Sequence, residues 1–214
     1  KCAFEKETVQ VNSACRVRAE QAFRKTKSGK RGSDMEGYKV CVYAIAKDEA
    51  KFAARWAESM SEADAVYVLD TGSSDDTVKI LQAHGVNVRS EIITPWRFDA
   101  ARNRSLELVP EDADICVCTD IDEVLHPGWR AAAEKAWSNG ADMLRYRYTW
   151  NFNEDGSEGT VFYIDKIHAR HGFKWVNPVH EVLEYKGEGS FRHIIAEGIQ
   201  LDHLADASKS RAQY

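Results

Sequence analysis

The chain has 214 residues, 43% of them hydrophobic and 29% charged, which suits one domain with a packed core and excludes wholesale disorder. Four prolines and 13 glycines exclude collagen-like and low-complexity classes. A mean hydropathy of -0.50, with apolar runs no longer than stretches such as Ala65 to Leu69, predicts no transmembrane segment. The first residues lack the apolar core of a signal peptide, and the net charge of -5 argues against a general nucleic-acid binder. Cys2, Cys15, Cys41, Cys116 and Cys118 are an odd, scattered set, which reads as free thiols in a reducing compartment and hence a cytoplasmic location.

Residues 1–36 carry nine Lys/Arg against five Asp/Glu and show no strand pattern. Arg16 to Arg31 reads as a basic helix running into a polar linker, either a solvated extension or a docking surface for an acidic partner. From Tyr38 the texture changes. Lys39 to Ala46 is a continuous apolar run, the pattern of a strand buried on both faces. Asp48 to Met60 is helical, with Phe52, Ala53, Trp56, Ala57 and Met60 on one stripe. Ala65 to Asp70 is a second buried strand. Ser73-x-x-Asp76 reads as a capping box opening a helix that closes at His84-Gly85. Val86 to Ile92 is a strand, Phe98 to Val109 a helix and Asp114 to Asp120 a fourth strand, and Pro127 starts another helix. This alternation means a parallel sheet covered on both sides.

After residue 140 the rhythm changes. Met143 to Phe152 and Thr160 to Ala169 alternate around the turn signal Asn153-Glu-Asp-Gly156. Val182 to Tyr185 and Phe191 to Ile199 read as further antiparallel strands extending the same sheet. The expected fold is α/β, one domain over about 37–205.

Ligands of open parallel sheets bind beyond the carboxyl ends of the strands. At the end of the second strand, Gly72 allows a tight turn after Asp70, and Ser73 and Ser74 add hydroxyls, features that also suit a plain capped loop. At the end of the fourth, Asp120, Ile121, Asp122 and Glu123 gather carboxylates that need a cation, and strand alternation puts Asp120 and Asp122 on one side. Carboxylate oxygens suit Mg²⁺ or Mn²⁺. Arg102 and Asn103 suit a nucleotide or diphosphate. Five of the seven histidines lie between 168 and 203, and His180-Glu181 offers a metal ligand beside a base. Phe173 and Trp175 read either as the wall of an acceptor pocket or as core.

Taken in order, Ala44-Ile-Ala-Lys-Asp-Glu49, Val68-Leu-Asp-Thr-Gly-Ser-Ser-Asp-Asp-Thr77, Phe98-Asp-Ala-Ala-Arg-Asn103 and Thr119-Asp-Ile-Asp-Glu123 resemble the family-2 glycosyltransferases of bacterial or phage type. The likeness covers about 39–130. It continues more weakly at His180-Glu181 and over Leu201 to Tyr214, a stretch resembling one that runs on into further helices in such relatives. It implies a GT-A fold, with a donor half near 37–125 and an acceptor half near 126–205, followed by a C-terminal tail to 214. It also implies metal-dependent, inverting transfer, of the hexosyltransferase type, from a nucleotide-diphosphate sugar, UDP-sugar favoured, to a peptide, glycan or lipid acceptor.

The same resemblance implies nucleotide-sugar contacts from Ala44, Asp70, Gly72, Arg102, Asp120, Ile121, Glu123 and Trp175. Asp120 and Asp122 would be the DxD pair, Asp122 and His180 the metal ligands, and Glu181 and Asp122 the catalytic carboxylates, Glu181 as base. Asp48 stands where relatives often have Asn, and Thr71 where many have a second Asp. Two other readings of the acids stay open here. Asp120-x-Asp122 also fits a phosphatase of the haloacid-dehalogenase kind, and the same fold can serve as a non-catalytic nucleotide-sugar-binding module.

Overall fold

The structure, a computed structural model, describes residues 37–205. The basic helix and linker expected in residues 1–36, and the tail from 206 to 214, lie outside the described residues.

The first half alternates as its apolar runs require. β1 (Val40–Ala46), β2 (Ala65–Asp70), β3 (Asn87–Ser90) and β4 (Ile115–Cys118) are joined through α1 (Ala50–Ser59), α2 (Thr77–Ala83) and α3 (Phe98–Leu106). β1 pairs in parallel with β2 and β4, and β2 with β3. The period-two alternation of β1 divides the core. Val40, Val42 and Ala44 pack with Phe52, Ala53 and Trp56 of α1 on one side, while Cys41 and Tyr43 pack with Leu106, Cys116, Cys118 and Trp175 on the other. Cys41, Cys116 and Cys118 are buried free thiols.

The second half adds β5 (Glu123–Leu125), α4 (Trp129–Ser138), β6 (Met143–Thr149), β7 (Val161–Ala169), β8 (Phe173–Val176), β9 (Val182–Tyr185) and β10 (His193–His203). The main sheet has eight strands in the order β3-β2-β1-β4-β7-β6-β10-β5, and β8-β9 form a separate pair. β6 and β7 pair antiparallel around the Asn153–Gly156 turn, where Gly156 has φ 82°. This mostly parallel sheet extended by antiparallel strands is the α/β architecture that the GT-A resemblance implies.

Four local expectations are corrected. β10 runs parallel to β6, not antiparallel, because its chain returns from the β8-β9 pair to the same end at which β6 starts. β9 leaves the main sheet and pairs with β8, which the sequence reading passed over. Ser73 does not close a capping box. Its hydroxyl accepts the Asp48 N–H at 2.9 Å, and Asp75 instead accepts the Thr77 N–H at 2.9 Å at the start of α2. α4 starts at Trp129, two residues after Pro127. Gly128 takes φ 89°, and Glu62 accepts the backbone N–H groups of Gly128 and Arg130 at 2.6 and 3.0 Å, doing the work of a cap from another part of the chain.

Tyr146 in β6 is fully buried, and its hydroxyl has no hydrogen-bond partner among the described residues. A buried unpaired hydroxyl costs about 1–3 kcal/mol. Tyr146→Phe is therefore expected to raise stability by roughly 1 kcal/mol in urea unfolding; an equal loss would show that the hydroxyl has a partner.

Candidate active site

Strand direction assembles the site. β1, β2 and β4 are parallel, so their carboxyl ends share one edge. β7 runs against both β4 and β6, which turns β6 back to the direction of β4, and β10 follows β6. One edge thus carries Asp70 at the end of β2, Asp120 to Asp122 after β4 with Glu123 at the start of β5, Trp150 after β6 and His203 at the end of β10.

At the β2 end, Asp70 is nearly buried and accepts the N–H groups of Gly72 and Ser73 at 3.3 and 3.2 Å. Gly72 is at φ 110°, and a Cβ there would lie 2.6 Å from Ile92, so this turn admits no other residue without strain. Asp48, at φ 54°, accepts the N–H and hydroxyl of Ser74 at 2.7 and 3.1 Å. The Ser74 backbone N–H leads in holding the Asp48 carboxyl below the usual carboxylate range. The loops after β1 and β2 are therefore tied together, and the two serines are engaged in the tie.

At the β4 end lies a partly buried charge network. Asp120 accepts from Arg102 Nη2 at 2.7 Å through one oxygen and from Lys166 Nζ at 3.0 Å through the other. Lys166 also meets Glu123 at 3.0 Å. Glu123 accepts in addition from the Tyr148 hydroxyl and the Asp120 N–H, both at 2.8 Å. Arg102, only 4% exposed, donates through Nε to Glu181 at 2.6 Å and lies over the Trp175 ring, 5.2 Å from its centroid. Burial pushes the Asp120 carboxyl up, but Arg102 and then Lys166 outweigh it and hold it well below the usual range. Burial dominates at Glu123, whose carboxyl is raised despite Lys166. The lysine is raised because Asp120 and Glu123 overcome its burial.

Asp120 and Asp122 do not share a side, as strand alternation had predicted. β4 ends at Cys118, and a turn closed by Glu123 N–H to Asp120 C=O at 3.1 Å replaces extended chain. Asp120 faces the buried cations, while Asp122 faces His203, whose Nε2 lies 3.1 Å from Asp122 Oδ2. His203 Nδ1–H donates to the Trp150 C=O at 2.9 Å, and the two rings stack at 4.5 Å. Burial lowers the affinity of His203 for protons, but the Asp122 carboxylate and the Trp150 carbonyl outweigh it, so its pKa is raised.

Several expected site residues sit elsewhere. Ala44 and Ile121 are buried in the core beneath the edge and expose no surface of note to a ligand. Trp175 is core too, and supports Arg102 rather than walling a pocket. Arg102 is spent on Asp120, Glu181 and the Cys118 sulfur, so it positions carboxylates instead of facing a donor. His180 is exposed at φ 56°; the imidazole that meets Asp122 belongs to His203. Both oxygens of Asp120 are held by cations, which leaves it poorly posed as the nucleophile of a phosphatase. The sequence reading missed Lys166, Tyr148 and His203. Lys166 stands beside Asp165 in β7, a strand that also holds His168, so its charge carried no distinctive local signal. His203 lay in view within Leu201-Asp-His.

Among the described residues, no group of three or more His, Cys, Asp or Glu is arranged to hold a metal ion alone. Asp122 and His203 offer one oxygen and one nitrogen. Such a donor pair fits a divalent ion that draws its remaining ligands from a diphosphate and water, as Mg²⁺ and Mn²⁺ do.

Below Arg102 runs a second buried chain. Trp175 Nε1–H donates to the Tyr43 hydroxyl at 2.7 Å, Tyr43 donates to His168 Nε2 at 2.8 Å, and His168 Nδ1–H donates to the Ala169 C=O at 2.8 Å. Burial lowers the His168 pKa from 6.5 to about 4, which keeps the ring neutral. The unfolded chain binds a proton between those values that the folded one refuses, so stability is complete above pH 6.5 and falls as the pH drops toward 4. The expected loss at His168 is at most about 3 kcal/mol. Urea unfolding at pH 7 and pH 4.5 checks it: His168→Gln should flatten the difference.

No family model matches the chain, and no curated protein does. Solved structures resemble parts of it. Glucosyl-3-phosphoglycerate synthase from Mycobacterium tuberculosis, in complex with Mn²⁺, UDP and glucosyl-3-phosphoglycerate, is 25% identical over 54% of this chain and 45% of its own, with a TM-score of 0.45. A mycobacterial protein is 26% identical over 54% and 42%, also at 0.45. TarS from S. aureus, in complex with UDP, is 18% identical over 53% and 36%, again at 0.45. The chain spans less than half the length of each of these proteins.

Proposed function

We propose that this chain is a metal-dependent glycosyltransferase, moving a hexose from a nucleoside-diphosphate sugar, a UDP-sugar foremost, to an acceptor hydroxyl with inversion. The observation that carries the reading is the edge at which Asp122 and His203 meet, 3.1 Å apart, beside the Arg102–Asp120–Lys166–Glu123 network. Residues 37–125 would then form the donor half and 126–205 the acceptor half.

In this reading Asp70 and the turn at Gly72 receive the base and ribose. Asp122 and His203 would hold Mn²⁺ or Mg²⁺, and the ion would supply charge stabilisation for the departing diphosphate. Asp120 and Glu123, fixed by Lys166 and Tyr148, keep the turn that presents Asp122 rigid. Glu181, held by Arg102 through one oxygen, is the candidate base. It takes the acceptor proton as the acceptor oxygen bonds to the anomeric carbon, and the bond from that carbon to the diphosphate oxygen breaks.

Calorimetric titration with Mn²⁺ and UDP, together with a UDP-sugar hydrolysis assay, tests this. Asp122→Ala and His203→Ala are expected to lose Mn²⁺-dependent UDP binding and about 10²-fold or more in turnover. Glu181→Gln is expected to lose transfer by a similar factor and to keep Mn²⁺–UDP binding. Wild-type protein that binds no UDP and hydrolyses no UDP-sugar would refute the proposal.

A further inference from the structure

Two large aromatic side chains stand exposed beside the acids: Trp150 at 45% and Phe162 at 41%. Each rests on a residue bonded to the acid cluster. Trp150 stacks on His203, which meets Asp122, with ring planes 25° apart. Phe162 sits edge-on to Tyr148, 5.2 Å between centroids, and the Tyr148 hydroxyl donates to Glu123. Both are held rigidly. The Trp150 backbone N–H donates to the Thr160 C=O at 2.8 Å and its carbonyl accepts from His203, which fixes its backbone, while the stack on His203 holds its ring. Phe162 stands directly opposite Tyr148 in the β6-β7 ladder. Exposed aromatics fixed in this way lose little freedom on binding a ligand.

Their place along the edge matters. Between β2, which ends at Asp70, and β6, which leads to Trp150, lie β1, β4 and β7. The aromatics therefore stand beside the Asp122–His203 pair and are separated by β1 and β4 from the strand that carries the Asp70 turn. Inverting transfer brings the acceptor to the sugar from the side opposite the departing diphosphate.

We propose that Trp150 and Phe162 form an acceptor subsite on which a pyranose ring stacks, so that the acceptor is a carbohydrate. The inference rests on the glycosyltransferase reading above and names its acceptor class. A pyranose has a C–H face, which suits the negative face of an aromatic ring, and a hydroxyl rim, which needs polar partners close by. Asp122 and His203 border the aromatic surface and supply such partners. An acyl chain calls for a longer uninterrupted apolar strip than two rings beside an Asp–His pair supply.

Saturation-transfer NMR with four probes decides it: the methyl pyranosides of glucose, galactose, mannose and N-acetylglucosamine, each with and without Mg²⁺ and UDP. At least one probe is expected to bind with saturation concentrated on its ring C–H protons. Trp150→Ala and Phe162→Ala should weaken it about tenfold, the scale of a lost aromatic stacking partner. Trp150→Phe should fall between. Tyr163→Ala, which removes a 54% exposed ring from the other face of β7, should bind as wild type does. Melting curves identify any variant that fails to fold, and Trp150→Phe and Phe162→Ser then carry the comparison.

Binding of no pyranoside, or unchanged affinity in the folded Trp150 and Phe162 variants, overturns the proposal. So does Trp150-dependent binding to phosphatidylglycerol vesicles or to a Ser-Gly repeat peptide in place of a sugar. Mg²⁺–UDP titration of the wild type judges the donor reading separately, and the nucleotide-free samples keep the pyranoside result readable if that reading falls.

Discussion

Two carboxylates, Glu123 buried and Asp120 half-buried, share one half-buried lysine, and the rest of the edge depends on this. Asp120 and Glu123 both contact Lys166 Nζ at 3.0 Å, and Arg102 takes the remaining oxygen of Asp120. Ions removed from water are costly unless each is paired and hydrogen-bonded. Here every partner comes from a different element: Arg102 from α3, Lys166 from β7, Tyr148 from β6. The network therefore works as a joint, locking the parallel half of the sheet to the antiparallel half where β4 ends. Without the joint, the turn from Asp120 to Glu123 would have no fixed direction, and neither would Asp122.

The joint also sorts the acids into different tasks. Asp120 and Glu123 are consumed by internal cations, whereas the side chain of Asp122, two residues from Asp120, meets the imidazole of His203. Three adjacent acids in a sequence look alike. The structure gives two of them to Lys166 and turns the third toward a histidine. Arg102 extends the same logic to Glu181 and, through the face of Trp175, to the hydrogen-bonded chain that ends on His168.

The parallel half was legible because continuous apolar runs leave few choices: strands 40–46, 65–70 and 115–118 stand where those runs do. The hairpin of β6 and β7 followed from alternation around a glycine turn. Less legible was whatever depends on which strands become neighbours. Nothing local in His193 to His203 says that it lies parallel to β6, and so nothing local brings His203 to Asp122 across 81 residues. His180, next to a carboxylate in sequence, was the natural choice and proved to be exposed. Ala44, Ile121 and Trp175 fell within or near recognisable motifs. They serve those motifs from below, as packing, and a motif alone does not distinguish a residue that touches a ligand from one that shapes the floor beneath it.

The placement of β10 has a consequence for the order of assembly. Its parallel partner β6 and its antiparallel partner β5 both precede it by many residues, and parallel long-range pairing is slow to form. The first four strands and their helices can collapse around their own apolar runs while the chain is still being made. Asp122 meets its histidine only when β10 slots between β5 and β6. The pair proposed to hold the ion is thus completed by the last strand of the sheet in chain order, and the scaffold of the first four strands is laid down without it.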